Sequence, residues 1–307
     1  MSADQSVPDI LQVLPCEVRT HVLRVFGDRG RAWLDALPGV VAGLARRWEL
    51  GFSTRVYGGG THSLVLAATR ADGTPALLKV PVPDDENRHE AAALRAYAGD
   101  GAAMLYAADA DSGALLMERL EPGTPLMDHP DREAAIDVAC GLLRRLRRPV
   151  PAGHPFHPVP ELVRHWASAL QARQAGHGDP VPAREMGRVL AAVESLHLPA
   201  GPELLVNRDA HLLNILAAER EPWLLIDPKP LAGEPAFDGG WLLIDVLLAD
   251  VAAANARRLA TRIGDGLGVD PDRVRAWSLV RSAENVFWDL DTGGDPGMSL
   301  ALVAALA

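Results

Sequence analysis

Apolar residues recur at helical spacing from Glu17 to Trp48: Val18, Val22 and Val25, then Trp33, Leu34 and Leu37, then Val40, Val41 and Leu44. A stripe of that period is the face a helix turns toward a core. Gly27 to Gly30 interrupts it, which predicts two helices. The period then shortens to that of extended chain. Leu50 to Tyr57 predicts a strand, Gly58-Gly59-Gly60 a turn, and Ser63 to Thr69 a second strand. Ala71-Asp72-Gly73 turns the chain into a third, Pro75 to Val80. Glu86 to Tyr97 has the Ala, Leu and Glu content of a helix. Met104 to Ala108 and Ala114 to Glu118 add two strands around an Asp-Ser-Gly turn. Five short strands with one inserted helix make a compact α/β lobe.

After Leu120 the pattern changes. Glu121-Pro122-Gly123 reads as a hinge. Helical patterns cover about Arg132 to Arg147, Pro160 to Gln174 and Pro182 to His197. Short strands follow at Leu204-Leu205-Val206, Ile215-Leu216-Ala217 and Trp223 to Ile226. From Asp238 onward the pattern is helical, with a break at Gly264 to Val269. No repeat or low-complexity linker is visible. The expected fold is α+β with two lobes: a small β-rich N-lobe over 1–119 and a larger helical C-lobe over 120–307.

Composition narrows the function classes. Of 307 residues 48% are hydrophobic, enough for a sizeable core, and 23% are charged. The formal net charge of −10 argues against a nucleic-acid partner, because phosphate backbones attract basic surfaces. It suits a cationic small molecule, as it does many proteins without one. No run approaches the roughly 18 apolar residues of a membrane span, and the polar first residues, Met1 to Asp9, lack the pattern of a signal peptide. A cytoplasmic monomer is expected. Cys16 and Cys140 have no metal-ligand spacing and read as buried structural thiols. His154 and His157 lack Cys or Asp partners for a metal.

One constellation carries chemistry. In Leu204-Leu205-Val206-Asn207-Arg208-Asp209-Ala210-His211-Leu212-Leu213-Asn214, an Arg-Asp pair is followed five residues after the Asp by Asn. Asp227 then closes the apolar strand Trp223 to Ile226. This is the kinase arrangement of a catalytic-loop Asp, a metal-binding Asn and a second Asp after the next strand. Asp209 would face the attacking hydroxyl. Asn214 and Asp227 would offer oxygens to Mg²⁺, a hard cation. Taken singly, each is an ordinary loop or turn residue; their joint spacing between apolar strands is what points to phosphoryl transfer.

The front lobe adds support. Lys79 ends an apolar strand, and Glu90 lies eleven residues on in a helix. In kinases a strand Lys contacts the ATP phosphates and is positioned by a Glu on the following helix. Glu86 competes for that place, but Glu90 sits within the helix body. Gly58, Gly59 and Gly60 lie where a phosphate-covering loop belongs, since glycines let backbone N–H groups approach an anion. Gly-rich hairpins are also common without a ligand.

Asn207 to Asn214, followed by Glu221-Pro222-Trp223-Leu224-Leu225-Ile226-Asp227-Pro228-Lys229-Pro230-Leu231-Ala232-Gly233-Glu234-Pro235-Ala236-Phe237-Asp238, resembles the aminoglycoside phosphotransferases. Within them it looks most like the streptomycin 6-phosphotransferase and hydroxyurea phosphotransferase branch. Met117 to Gly123 resembles the interlobe segment of that branch, and the likeness runs from about Leu50 to about Leu290. It implies a bilobal protein-kinase-like fold and ATP-dependent phosphorylation of a hydroxyl on a small antibiotic, with streptomycin the first candidate. It further implies Asp209 as catalytic carboxylate, Asn214 and Asp227 as Mg²⁺ ligands, Lys79 on the ATP phosphates, and Glu118 to Leu120 passing the adenine. The chain departs from the family's His-Gly-Asp by carrying Asn207-Arg208-Asp209. Asn can partly replace a His that acts as a structural hydrogen-bonder.

The remaining features are plainer. Arg144, Arg145, Arg147 and Arg148 form a basic helix end, favourable at a helix C-terminus. Asp238 would cap its helix or brace the catalytic loop. Glu284, Asp289 and Asp291 lie in one late segment beside Phe287 and Trp288 and form an expected wall for a cationic acceptor, since guanidinium groups pair with carboxylates. A solvated acidic helix end is the plainer account of each. Alternatives to an antibiotic kinase are a kinase of hydroxyurea or a metabolite, or a nucleotide-holding protein without catalysis.

Overall fold

The computed structural model describes residues 8–57, 62–85, 87–150 and 152–307. The chain divides into two compact units, Met1–Glu121 and Pro122–Ala307.

The first unit opens with α1 (Ile10–Val13), whose first turn is capped by the Asp9 carboxylate, and α2 (Cys16–Arg47). The two predicted helices are two arms of α2, joined at a kink where Gly27 has φ 53° and ψ −124°. That conformation favours glycine. Three residues on, a Cβ at Gly30 would stand 2.5 Å from the Val22 carbonyl oxygen, so only glycine lets the arms meet this closely. Cys16 corrects the sequence expectation: it starts α2 and is exposed, while Cys140 is buried.

The strands β1 (Gly51–Val56), β2 (Ser63–Thr69) and β3 (Pro75–Pro81), the helix α3 (Glu90–Tyr97), and β4 (Leu105–Ala108) and β5 (Leu115–Glu118) follow. They build one antiparallel sheet in the order β1-β2-β3-β5-β4. Val22, Leu37 and Val41 of α2 join Leu64, Leu66 and Leu78 of the sheet in one buried cluster. The helical stripe and the alternating strand residues therefore close on each other.

The second unit contains β6 (Pro122–Pro125), α4 (Arg132–Leu146), β7 (His157–Pro158), α5 (Val159–Gly176) and α6 (Ala183–Leu196). Next come β8 (Leu204–Asn207), β9 (Ile215–Ala218), β10 (Trp223–Leu225) and β11 (Pro230–Gly233). The chain ends in α7 (Ala236–Leu247), α8 (Ala253–Leu267), α9 (Pro271–Asp291) and α10 (Gly297–Leu306). Two small sheets, β10-β9-β6 and β7-β11-β8, carry the loops between the helices. β6 occupies the segment read as a hinge, where Pro122-Gly123-Thr124-Pro125 has no apolar alternation to betray a strand. α7 packs closely on α9: a Cβ at Gly240 would lie 2.7 Å from the Trp277 Cβ. The Ser278 hydroxyl also donates to the Gly240 carbonyl at 2.9 Å. Among the described residues no helix is long and apolar enough to cross a membrane.

Candidate active site

β8 and β11 run antiparallel, with Asn207 opposite Pro230. Each strand therefore delivers its adjoining loop to the same place. Arg208 N–H donates to the Lys229 carbonyl at 2.8 Å, and Ile226 N–H to the Asn214 carbonyl at 2.8 Å. The Asn214 side-chain N–H₂ donates to the Asp209 carbonyl and to Asp209 Oδ2, both at 3.2 Å. Asp209, Asn214 and Asp227 are thus brought together by backbone and side-chain bonds. Asp227 has φ 48°, a left-handed conformation uncommon outside glycine and tolerated best by Asn and Asp. It sits between Ile226, tied to Asn214, and Pro228.

Asn207 is the hub of this arrangement. Its Oδ1 accepts the backbone N–H of Asp209 at 3.1 Å and of Lys229 at 2.9 Å, so one amide oxygen joins the two loops. Its own N–H donates to Asp238 Oδ1 at 2.7 Å. Leu212 N–H donates to Asp245 Oδ2 at 2.9 Å. Asp238 and Asp245 lie seven residues apart on α7, two turns along one face, and hold the loop from below at two points. Asp238 acts as the brace expected from sequence. Asp245 was missed; the i, i+7 acidic pair in an otherwise apolar helix was the available signal.

The charges set the protonation states. Burial alone would raise the Asp209 carboxyl, but the hydrogen bond and charge of His211 outweigh it, with help from Lys229 and against Asp227, and hold it below the usual range. His211 Nε2 stands 3.5 Å from Asp209 Oδ2. Burial opposes the imidazolium, yet the Asp209 bond and charge, then Asp245 and Asp227, raise the His211 pKa. Burial pushes the Asp238 carboxyl up to about 7, against the Asn207 N–H and Arg147. Burial likewise raises Asp245. Asp209 is therefore kept ionised while the carboxylates behind it are not favoured as charges.

The donor set fits a hard divalent cation. Asp227 offers a carboxylate. Donation from Asn214 Nδ2 to Asp209 leaves Asn214 Oδ1 with no hydrogen bond among the described residues. Mg²⁺ prefers such oxygen ligands, usually one or two from protein, and completes its shell with phosphate and water. Lys229 Nζ stands 2.7 Å from Asp227 Oδ1.

In the first unit, the buried Lys79 ammonium donates to both Glu90 carboxylate oxygens, at 2.8 and 2.7 Å. Glu90 pairs with it as expected; the competing Glu86 and the Gly58, Gly59, Gly60 loop lie outside the described residues. Glu118 Oε2 accepts Met104 N–H at 3.0 Å, and Leu120 is buried.

Residues 47–293 match the aminoglycoside/hydroxyurea antibiotic resistance kinase family. The chain belongs to that family. It is 35% identical over 285 residues to the streptomycin 6-kinase of Streptomyces glaucescens, covering 91% of this chain and 92% of that protein. It is 37% identical over 285 residues to the hydroxyurea phosphotransferase of Kitasatospora aureofaciens, covering 91% and 81%. Among solved structures, a choline/ethanolamine kinase family protein from Mesorhizobium loti superposes with a TM-score of 0.61 at 19% identity, covering 91% and 94%. That likeness shows the protein-kinase-like fold.

The acidic trio of this antibiotic resistance kinase does not converge. Asp289 accepts the Ser299 hydroxyl at 2.7 Å, tying α9 to α10. Asp291 is exposed and pairs with Arg173 at 2.5 Å and His177 at 2.7 Å on the end of α5. Glu284 feels the charge of the catalytic loop's Arg208. Burial pushes its carboxyl up, and the charges of Arg281 and Arg208, a hydrogen bond with Trp166 and the charge of Arg173 pull it back. Arg281 itself is buried over the Trp241 ring, 4.7 Å from its centroid. The trio share a segment but point to three neighbours: five residues turn Asp289 to another side of α9 from Glu284, while seven residues put Asp291 on the Glu284 face but two turns along, at the exposed helix end.

Proposed function

We propose that the chain is an ATP-dependent O-phosphotransferase that phosphorylates streptomycin at the 6-hydroxyl and so confers resistance. The convergence of Asp209, Asn214 and Asp227 supports the reaction, and the similarity to streptomycin 6-kinase along nine-tenths of the chain supports the acceptor. The acceptor oxygen forms a bond to the γ-phosphorus as the bond to the leaving ADP oxygen breaks. Asp209 orients the hydroxyl and takes its proton. Mg²⁺, held by Asn214 and Asp227, would neutralise charge on the phosphates. Lys79, fixed by Glu90, steadies the ATP phosphates, with Gly58, Gly59, Gly60, Glu118 and Leu120 completing the nucleotide site. Positioning and charge neutralisation supply most of the rate.

A second reading has its own support. Glu284 sits among Arg173, Arg208 and Arg281, surroundings that suit a small neutral acceptor better than a polycation. Hydroxyurea, the acceptor named for the Kitasatospora relative, is such a molecule. ADP release should be followed with streptomycin, hydroxyurea, kanamycin and choline under matched Mg·ATP, and the product's phosphate located by NMR. Transfer to the streptomycin 6-hydroxyl at the highest kcat/KM is expected. Preference for hydroxyurea moves the assignment to the second reading, and no transfer to either removes both. Asp209→Ala and Asp227→Ala should abolish transfer with unchanged circular dichroism; near-normal turnover in either refutes the site.

A further inference from the structure

Of the 30 lysine and arginine residues in the chain, only Lys79 and Lys229 are lysine. Arginine serves at every other basic position, including exposed helix faces where the two are nearly interchangeable. A compact, strongly hydrated ammonium and a planar guanidinium differ most where a small point charge must fit against phosphate or metal oxygens. Lys79 occupies such a place in the reading above. Lys229 has no assigned role, and its surroundings match.

The Lys229 backbone is fixed at both ends. Its N–H donates to Asn207 Oδ1 at 2.9 Å and its carbonyl accepts Arg208 N–H at 2.8 Å. Its side chain is four-fifths buried, and its Nζ reaches Asp227 Oδ1 at 2.7 Å. The same charge reaches Asp209, where it helps keep the carboxyl ionised. One ammonium therefore stands in the field of both the carboxylate that would receive the acceptor proton and the carboxylate that would hold the metal. It has three N–H donors, and Asp227 takes one.

We propose that Lys229 is a further catalytic residue: its ammonium, paired with the Asp227 carboxylate, passes to the transferring phosphoryl oxygens once Asp227 engages the metal. This rests on the reading of Asp227 as a metal ligand. Lys229 moves no proton and forms no bond; it offsets charge on the phosphoryl group as the γ-phosphorus passes from the ADP oxygen to the acceptor oxygen. An ion pair that only shaped Asp227 would be served equally well by arginine, and the chain uses arginine elsewhere.

The test uses the full chain as Lys229→Met and Lys229→Arg. Four quantities are read: kcat and KM for ATP by ADP release, Mn²⁺ affinity by electron paramagnetic resonance with a non-hydrolysable ATP analogue, and Tm. Lys229→Met should lower kcat about a hundredfold or more, the scale of losing one electrostatic contact to a transition state. KM for ATP should change less than threefold, and Mn²⁺ should bind as tightly as in wild type or more tightly, because a competing cation is gone. Lys229→Arg should restore less than a tenth of the lost rate. A Lys229→Met kcat within threefold of wild type overturns the proposal. So does full rescue by arginine, or a Mn²⁺ affinity that falls along with the rate, which would make Lys229 a positioning residue for Asp227. Asp227→Asn, assayed for Mn²⁺ alone, separates failure of this idea from failure of the metal assignment. If no acceptor is found, acceptor-independent ATP hydrolysis supplies the rate.

Discussion

Asn207 Oδ1 accepts the backbone N–H of Asp209 at 3.1 Å, and the same oxygen takes the N–H of Lys229 at 2.9 Å. Two backbone donors fix which end of the amide is oxygen. Through this one atom the loop carrying Asp209 is registered against the turn carrying Asp227. Asn207 thereby puts an acceptor where the loops of two strands must meet.

Removing that acceptor should loosen the site without unfolding it. Asn207→Ala leaves two N–H groups unpaired, at about 1–3 kcal/mol for each buried group. Displacement of Asp209 by even an ångström can cost about a hundredfold in rate. Urea denaturation and kcat should both fall for Asn207→Ala, while Asn207→His, which offers a ring nitrogen as acceptor, should recover most of kcat. A fully active Asn207→Ala would mean that β8 and α7 position Asp209 by themselves.

The Lys79–Glu90 pair makes a different prediction. Both groups are buried and the contact is bidentate. Losing one partner takes the bidentate contact from the other's buried charge, at roughly 3–5 kcal/mol. Lys79→Met and Glu90→Leu should each be less stable than the Lys79→Met/Glu90→Leu double variant, in which both buried charges are gone. Turnover should remain low in all three, since none retains a fixed ammonium for the phosphates. Denaturation curves in which the single-variant losses simply add would show that the two residues do not act as a pair.

Much of this was legible in the sequence because it is local. The α2 stripe, the five strands of the first unit and the Asp209–Asn214–Asp227 spacing are each written within a few tens of residues. What escaped depends on distant partners. β6 is a strand because Pro122 and Pro125 lie against Ala218 and Leu216 of β9, and its own composition reads as a hinge. Asp245 looks like a stray acid in an apolar helix until Leu212 N–H is seen on it. The acidic trio failed to gather because Asp289 faces another side of α9 than Glu284, and Asp291 lies two turns beyond Glu284 at the helix end.

That dispersal sharpens the acceptor prediction. If one carboxylate of α9 meets the acceptor it is Glu284, which feels the charge of Arg208 in the Asp209 loop. Glu284→Gln should raise KM for a cationic acceptor while leaving KM for ATP nearly unchanged, because the lost attraction touches one substrate. Asp291→Asn, which breaks an exposed pairing with Arg173 and His177, should alter neither, since exposed ion pairs contribute about 0–1 kcal/mol. Equal acceptor kinetics in wild type and Glu284→Gln would discard α9 as the acceptor wall and leave the phosphoryl-transfer site intact.

Asp238 links the site to pH. Its carboxyl titrates near 3.8 ordinarily and is pushed up to about 7 by full burial, with only the Asn207 N–H and Arg147 opposing. A carboxyl raised on folding binds its proton more tightly in the native state. Its contribution is fully present below the ordinary value and is lost as pH rises through about 7. Asp238→Asn keeps a side-chain oxygen for the Asn207 N–H but carries no charge at any pH. Its Tm should therefore gain on wild type as pH rises from about 4 to about 7 and level off above that, by an amount worth a few kcal/mol at the plateau. Thermal scans of both proteins at half-unit intervals read the difference directly. A difference that is flat with pH would mean that Arg147 holds Asp238 ionised throughout, so that the catalytic loop rests on a buried ion pair and not on a neutral acid.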